Sequence, residues 1–199
     1  DAASGREVPG GFAFPEPLAR RAGYQGGNAG TAGSRVSTDF KVMAAQTISG
    51  AWQAWWLGEG KVEKVVLFEE PPPAAATINA AFSATGDRVV LAWGAASLRV
   101  WNLHTGQPVG PVISFHGGPR VIPGVNFNPD GSRVTVGINI GGARVWDVAT
   151  GKEVFINEEQ DARVEASVFN PDGSRLATAN NSGEVQLWDS RTGDPASPV

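Results

Sequence analysis

His104 and His116 are the only imidazoles in this 199-residue chain, and it has no cysteine. Without thiolates there is no cysteine nucleophile, no disulfide framework and no thiolate-held metal or redox centre. A Ser-His-Asp triad needs a histidine beside its serine. Here His104 stands in the turn-like Leu103-His104-Thr105-Gly106, and His116 follows Phe115 in a connecting stretch. No histidine pair has zinc spacing, no glycine run has the phosphate-cradling pattern, and no stretch reads as a calcium loop. The expectation is therefore a chain with no catalytic residue, no cofactor and no metal. Carboxylates stay open as a second possibility, because Asp and Glu from separate parts of a fold can pair to hydrolyse a glycosidic bond.

Composition says which elements hold these side chains. With 26 Gly and 14 Pro the chain is rich in turns and has little room for long helices. An apolar fraction of 41%, including 7 Trp and 9 Phe, is that of a packed globular core. The net charge of −4 argues against nucleic acid, whose binders cluster Lys and Arg. The longest apolar runs fall short of the roughly 18 residues that a membrane helix needs. No membrane contact is expected, and of the compartments the cytoplasm is favoured, although the missing cysteines leave that open.

The sequence repeats. Trp101, Trp146 and Trp188 stand 45 and 42 residues apart, and Phe82, Phe127 and Phe169 each precede one of them by 19. After each Phe comes a turn: Asn128-Pro129-Asp130-Gly131, Asn170-Pro171-Asp172-Gly173 and the weaker Ser83-Ala84-Thr85-Gly86. Alternating stretches flank the turns and predict strands, such as Arg133-Val134-Thr135-Val136 and Val185-Gln186-Leu187-Trp188. Five residues past each Trp comes a glycine (Gly106, Gly151, Gly193), then a further β-rich stretch. A fourth, degenerate copy has Val36 and Trp55 at the same spacing, with Gly60 five residues on.

Repeats of this period, with Trp146-Asp147, Trp188-Asp189 and the near match Trp101-Asn102, resemble the WD-repeat family of β-propellers. The resemblance implies an all-β fold of four-stranded antiparallel blades anchored by Trp55, Trp101, Trp146, Asp147, Trp188 and Asp189, in an incomplete or oligomer-completed propeller. It divides one propeller domain into an outer strand of a preceding blade at 1–8, a glycine-rich inter-blade loop at 9–33, a degenerate blade at 34–68, and blades at 69–115, 116–157 and 158–199, the last lacking part of its final strand. Asp1 to Val8 parallels Asp147 to Val154, so an aromatic residue, Trp above all, is expected just before Asp1. The chain departs from the family where an Asp six residues before the Trp commonly ties the loops together: Ser49, Ala95, Ile140 and Ser182 hold those places. Stability is then expected to rest on apolar packing between blades.

The same topology puts the tight Pro-Asp-Gly and Thr-Gly turns at one end of the blades and the irregular loops at the other. The loop at 9–33 is longer than its counterparts and carries Phe12, Phe14, Arg20, Arg21 and Tyr24, residue types that favour contacts on a rigid scaffold. Glu69, Glu70, Glu158 and Glu159 would give that end an acidic rim. Each feature has a plainer reading: the loop as a disordered surface excursion or a segment packed against an absent blade, and the carboxylates as solvated charge. Trp52, Trp56 and Trp93 fall outside the repeat and are read as core. The functional expectation is a non-catalytic scaffold or sensor that binds protein partners and closes its ring by missing blades or self-association. The alternative is a propeller that binds or hydrolyses a small ligand or glycan in a central channel.

Overall fold

The structure, a computed structural model, describes residues 35–37, 41–46, 51–57, 62–69, 77–93, 96–115, 124–138, 142–156 and 162–196. The expected strand at 1–8, the loop at 9–33 with Phe12, Phe14, Arg20, Arg21 and Tyr24, and Glu70, His116, Glu158 and Glu159 lie outside the described residues. Among the described residues the fold is all-β, with fifteen strands in four antiparallel sheets. The first sheet holds β1 (Arg35–Val36), β2 (Val42–Gln46), β3 (Trp52–Leu57) and β4 (Val62–Leu67) in sequential order. The second holds β5 (Thr77–Phe82), β6 (Arg88–Trp93), β7 (Ser97–Asn102) and β8 (Pro108–Ser114). The third holds β9 (Val125–Phe127), β10 (Arg133–Gly137), β11 (Ala143–Asp147) and β12 (Glu153–Ile156). The fourth holds β13 (Val164–Phe169), β14 (Arg175–Asn180) and β15 (Val185–Asp189). Beside β15, Pro195 bridges to Trp188 and the Ala196 N–H donates to the Leu187 carbonyl at 2.7 Å. No helix among the described residues is long and apolar enough to cross a membrane.

One cross-strand triplet recurs in every sheet. Phe82, Val89 and Trp101 lie side by side on the first three strands of the second sheet. Phe127, Val134 and Trp146 do so in the third, and Phe169, Leu176 and Trp188 in the fourth. In the first sheet the places are taken by Val36, Met43 and Trp55. Residues opposite one another on antiparallel strands point to the same side, so each triplet puts its aromatics on one face.

That face packs on the sheet before it. Trp101, Val89 and Leu103 form one buried cluster with Val42, Trp52 and Ala54 of the first sheet. Trp146, Val134 and Val148 join Val90, Leu98 and Val100 of the second. Trp188, Leu176 and Phe169 join Ala143, Val145 and Phe155 of the third. The second and third sheets are thus covered on both faces. A buried aromatic removes some 150 to 250 Å² from water, about 4 to 6 kcal/mol of gross transfer free energy apiece.

Hydrogen bonds also cross every interface, which apolar packing alone does not foresee. Trp101 Nε1 donates to the Glu69 carbonyl at 2.8 Å, Arg88 Nη1 to that of Gly131 at 3.0 Å, and Arg133 Nη1 to that of Ser190 at 2.9 Å. Between the third and fourth sheets Asn126 Nδ2 donates to the Ser167 carbonyl at 2.8 Å, and the Thr135 and Ser167 hydroxyls meet at 3.2 Å.

Backbone also approaches backbone. Gly110, at φ +77°, lies so near the third sheet that a Cβ there would stand 2.0 Å from the Val148 carbonyl oxygen. Gly86, at φ +71°, has nothing within 4 Å of the same added atom. Both alanine substitutions carry the left-handed penalty of about 1 to 2 kcal/mol, and only Gly110→Ala also pushes the sheets apart. In chemical denaturation Gly110→Ala is expected to cost at least about 3 kcal/mol against about 1 to 2 for Gly86→Ala. Equal losses would remove the close inter-sheet approach.

Candidate functional site

At one end of the sheets the tight turns gather, and their carboxylates and amides are wired in the same way. Asn128 Oδ1 accepts from the Arg133 N–H at 2.9 Å and Asp130 Oδ1 from the Ser132 N–H at 2.7 Å. Asn170 and Asp172 repeat this with Arg175 at 2.9 Å and Ser174 at 2.7 Å. In the next hairpin, Asp147 Oδ1 accepts from the Thr150 N–H at 2.8 Å and its hydroxyl at 2.7 Å. Asp189 Oδ1 accepts from the N–H groups of Arg191 at 2.9 Å and Thr192 at 3.1 Å. Asn102 takes the same role toward His104 and Thr105 at 2.9 and 3.1 Å. The residue after Trp101, Trp146 and Trp188 therefore closes an Asx turn, which Asp and Asn both serve, whereas Trp55 is followed by Trp56. In the weaker turn Ser83, Thr85 and Asp87 bond together, Asp87 accepting from the Ser83 hydroxyl at 2.9 Å.

These bonds hold the carboxylates charged. The Asp130 and Asp172 carboxyls lie below the usual range because Ser132 and Ser174 donate to them. Asp147 is lowered by its bonds from Thr150, and Asp189 by the Arg191 and Thr192 amides. At Asp87 burial works upward, and hydrogen bonds from Thr85 and Ser83 with the Arg88 charge outweigh it.

A cleft of about 440 Å³ opens between the turns of the third and fourth sheets. Asn128, Asp130 and Arg133 line one side, and Asp172, Asp189 and Arg191 the other. Arg133 is tied to the Ser190 carbonyl, and the Ser190 hydroxyl donates to that of Gly173, so the walls are stiffened by main-chain acceptors. Ionised carboxylates whose lone pairs already accept amide hydrogen bonds have no proton to give and are weak bases, and they suit cationic or amide contacts. Among the described residues no group of three or more His, Asp or Glu is placed to hold a metal ion.

The chain matches no protein-family model and no curated protein.

Of the residues expected to form a contact surface, Glu69 is the one described. It is exposed and is tied to the second sheet. Its carboxylate accepts from Gln107 Nε2 at 2.5 Å, its N–H donates to the Gly106 carbonyl at 2.9 Å, and its carbonyl takes the Trp101 indole. Trp55, Trp101, Trp146 and Trp188 are all buried on third strands, and Asp147 and Asp189 sit in the turns behind two of them. Trp52 is buried between the first two sheets, with Trp56 and Trp93 packed against that cluster. Trp56 stacks on His104 at 4.7 Å between ring centroids and donates to the Leu103 carbonyl at 3.4 Å. His104 is thus an exposed turn residue held against an indole. Sequence reasoning overlooked the cleft, although the two copies of Asn-Pro-Asp-Gly in register were its signal.

A carboxyl with a lowered folded-state pKa stabilises the fold fully above its unfolded value of 3.8, and that contribution fades as pH falls through the folded value. Asp147→Asn keeps an oxygen acceptor and removes the charge. Its stability deficit in urea titrations is expected to be present at pH 6 and to shrink toward zero by about pH 2. A deficit independent of pH would show that the charge contributes nothing to the turn.

Proposed function

We propose that the sheets are blades of a WD-repeat β-propeller that works as a non-catalytic scaffold or sensor for protein partners. The observation that carries this reading is the commitment of the polar groups at the turn end. Asp130, Asp147, Asp172 and Asp189 each accept hydrogen bonds from their own turns, and Arg88 and Arg133 donate to carbonyls of the neighbouring sheet. Groups so engaged build a stiff, polar, indented surface, which suits recognition better than proton or group transfer. The Phe, Val or Leu, Trp triplet of the second, third and fourth sheets and the Asx turns behind Trp101, Trp146 and Trp188 support the family resemblance. The cleft is open and polar, unlike the enclosed, mainly apolar pocket that holds a small ligand.

A photo-reactive residue placed at the exposed Arg191 tests this. A discrete cross-linked protein is expected in lysate of the native host, unaffected by added mono- and oligosaccharides. Repeating it with residues 9–33 deleted separates the surfaces: a retained cross-link puts the contact at the turns, a lost one at the loop. A sugar or small-molecule library that raises the melting temperature by roughly 3 °C or more, with no protein captured, would favour the ligand-binding reading.

A further inference from the structure

The three junctions between sheets are built alike except at one place. The second residue after Trp101, Trp146 and Trp188 is Leu103, Val148 and Ser190 in turn. Their backbones hold one position in the repeat. Each N–H donates to the carbonyl just before the arginine that opens the second strand: Leu103 to Asp87 at 2.8 Å, Val148 to Ser132 at 2.8 Å and Ser190 to Ser174 at 3.0 Å. Their side chains part company. Leu103 is fully buried in the cluster between the first two sheets, and Val148 is buried in the one between the second and third. Ser190 has no aliphatic group to put in that place, and its hydroxyl donates to the Gly173 carbonyl of its own sheet. The cleft of about 440 Å³ opens at this junction, with Ser190 in its lining. Space that an aliphatic side chain plugs at two junctions is thus left open at the third, in a fold whose interfaces are otherwise close-packed.

The walls say what such a plug should carry at its end. Asp130, Asp172 and Asp189 line the cleft against Arg133 and Arg191, which leaves the lining with one net negative charge. Arg133 is committed to the Ser190 carbonyl, and Arg191 is exposed. Asp189 takes both of its amide bonds on Oδ1, so its Oδ2 accepts from no described residue and stays open to a donor from outside. A long cationic side chain meets both demands, because its aliphatic stem fills the slot while its head donates to the carboxylates.

We propose that the cleft is the anchor pocket for a Lys or Arg side chain of a protein partner, which takes the place that Leu103 and Val148 fill at the other two junctions. This rests on the reading of the turn end as a recognition surface and names the chemistry recognised there. A buried side chain of this kind at the centre of a contact carries a large share of the binding energy.

The probes are terminally blocked Gly-Arg-Gly and Gly-Lys-Gly, with citrulline and norleucine in the central place as neutral controls. At millimolar peptide the two cationic probes are expected to shift the amide NMR signals of residues 128–133, 172–174 and 189–191, and the controls to leave them in place. Asp189→Asn keeps the turn acceptor and should weaken the Arg peptide about tenfold, the loss of one charged hydrogen bond. Arg191→Ala removes a like charge and should tighten it. Ser190→Leu restores the plug and should abolish binding without lowering the melting temperature. The proposal is overturned if the controls shift the same signals equally, if no probe shifts them, or if Ser190→Leu leaves the affinity unchanged. The two readings fail separately. A cross-link from position 191 that persists in Ser190→Leu overturns the anchor and leaves the scaffold standing. A missing cross-link in a chain that binds the Arg peptide defeats the protein partner and leaves the cationic pocket.

Discussion

A twisted sheet with apolar residues on both faces has no stable existence alone, and everything in this protein follows from how that is met. The second, third and fourth sheets each put one large indole on the leading face, and the sheet before supplies the apolar surface that covers it. Trp101, Trp146 and Trp188 are buried in this way against Trp52 and Ala54, against Val90 and Val100, and against Val145 and Phe155. Because the same pairing register places Phe, Val or Leu, and Trp side by side in the second, third and fourth sheets, one solution to the packing problem is used again and again. The stack is in effect one-dimensional, with each sheet answering to its neighbours.

Polar groups make this packing specific. An aliphatic face alone lets sheets slide. The Arg88 and Arg133 guanidinium groups fix the offset by reaching main-chain oxygens that stand at one place only. The Trp101 indole N–H does the same through the Glu69 carbonyl, and Asn126 with Thr135 through Ser167. Within the fourth sheet Trp188 Nε1 donates to the buried Thr178 hydroxyl at 2.9 Å, so that indole is satisfied inside its own sheet. The turn carboxylates secure the hairpins that carry these donors, which ties the surface that could recognise a partner to the elements that hold the core.

Much of this was legible in the residue order. Asn-Pro-Asp-Gly sets a hairpin by local geometry, and the Trp spacing sets the sheet width, so strands, turns and their repetition could be read directly. The Trp-Asp pair was legible as a motif, but its physical reason, an Asx turn that Asn102 closes as well as Asp147, emerges only with coordinates. Contacts between sheets were not legible, because Arg88 and Gly131, or Arg133 and Ser190, are 43 and 57 residues apart and no local pattern links them. The hint was an Arg in the same place after three successive turns. The partners of Glu69 were hidden for the same reason: Gln107 and Trp101, from the next sheet, bond to its carboxylate and its carbonyl.

The stacking of sheet on sheet in this register is the central claim, and the missing cysteines make it directly measurable. Thr135 and Ser167 are fully buried on facing sheets, with hydroxyl oxygens 3.2 Å apart. In the double variant Thr135→Cys, Ser167→Cys, mild oxidation is predicted to form one intramolecular disulfide, found by peptide mapping, with the monomer otherwise unchanged. Two free thiols under those conditions, or bonds formed only between molecules, would contradict the stacked register.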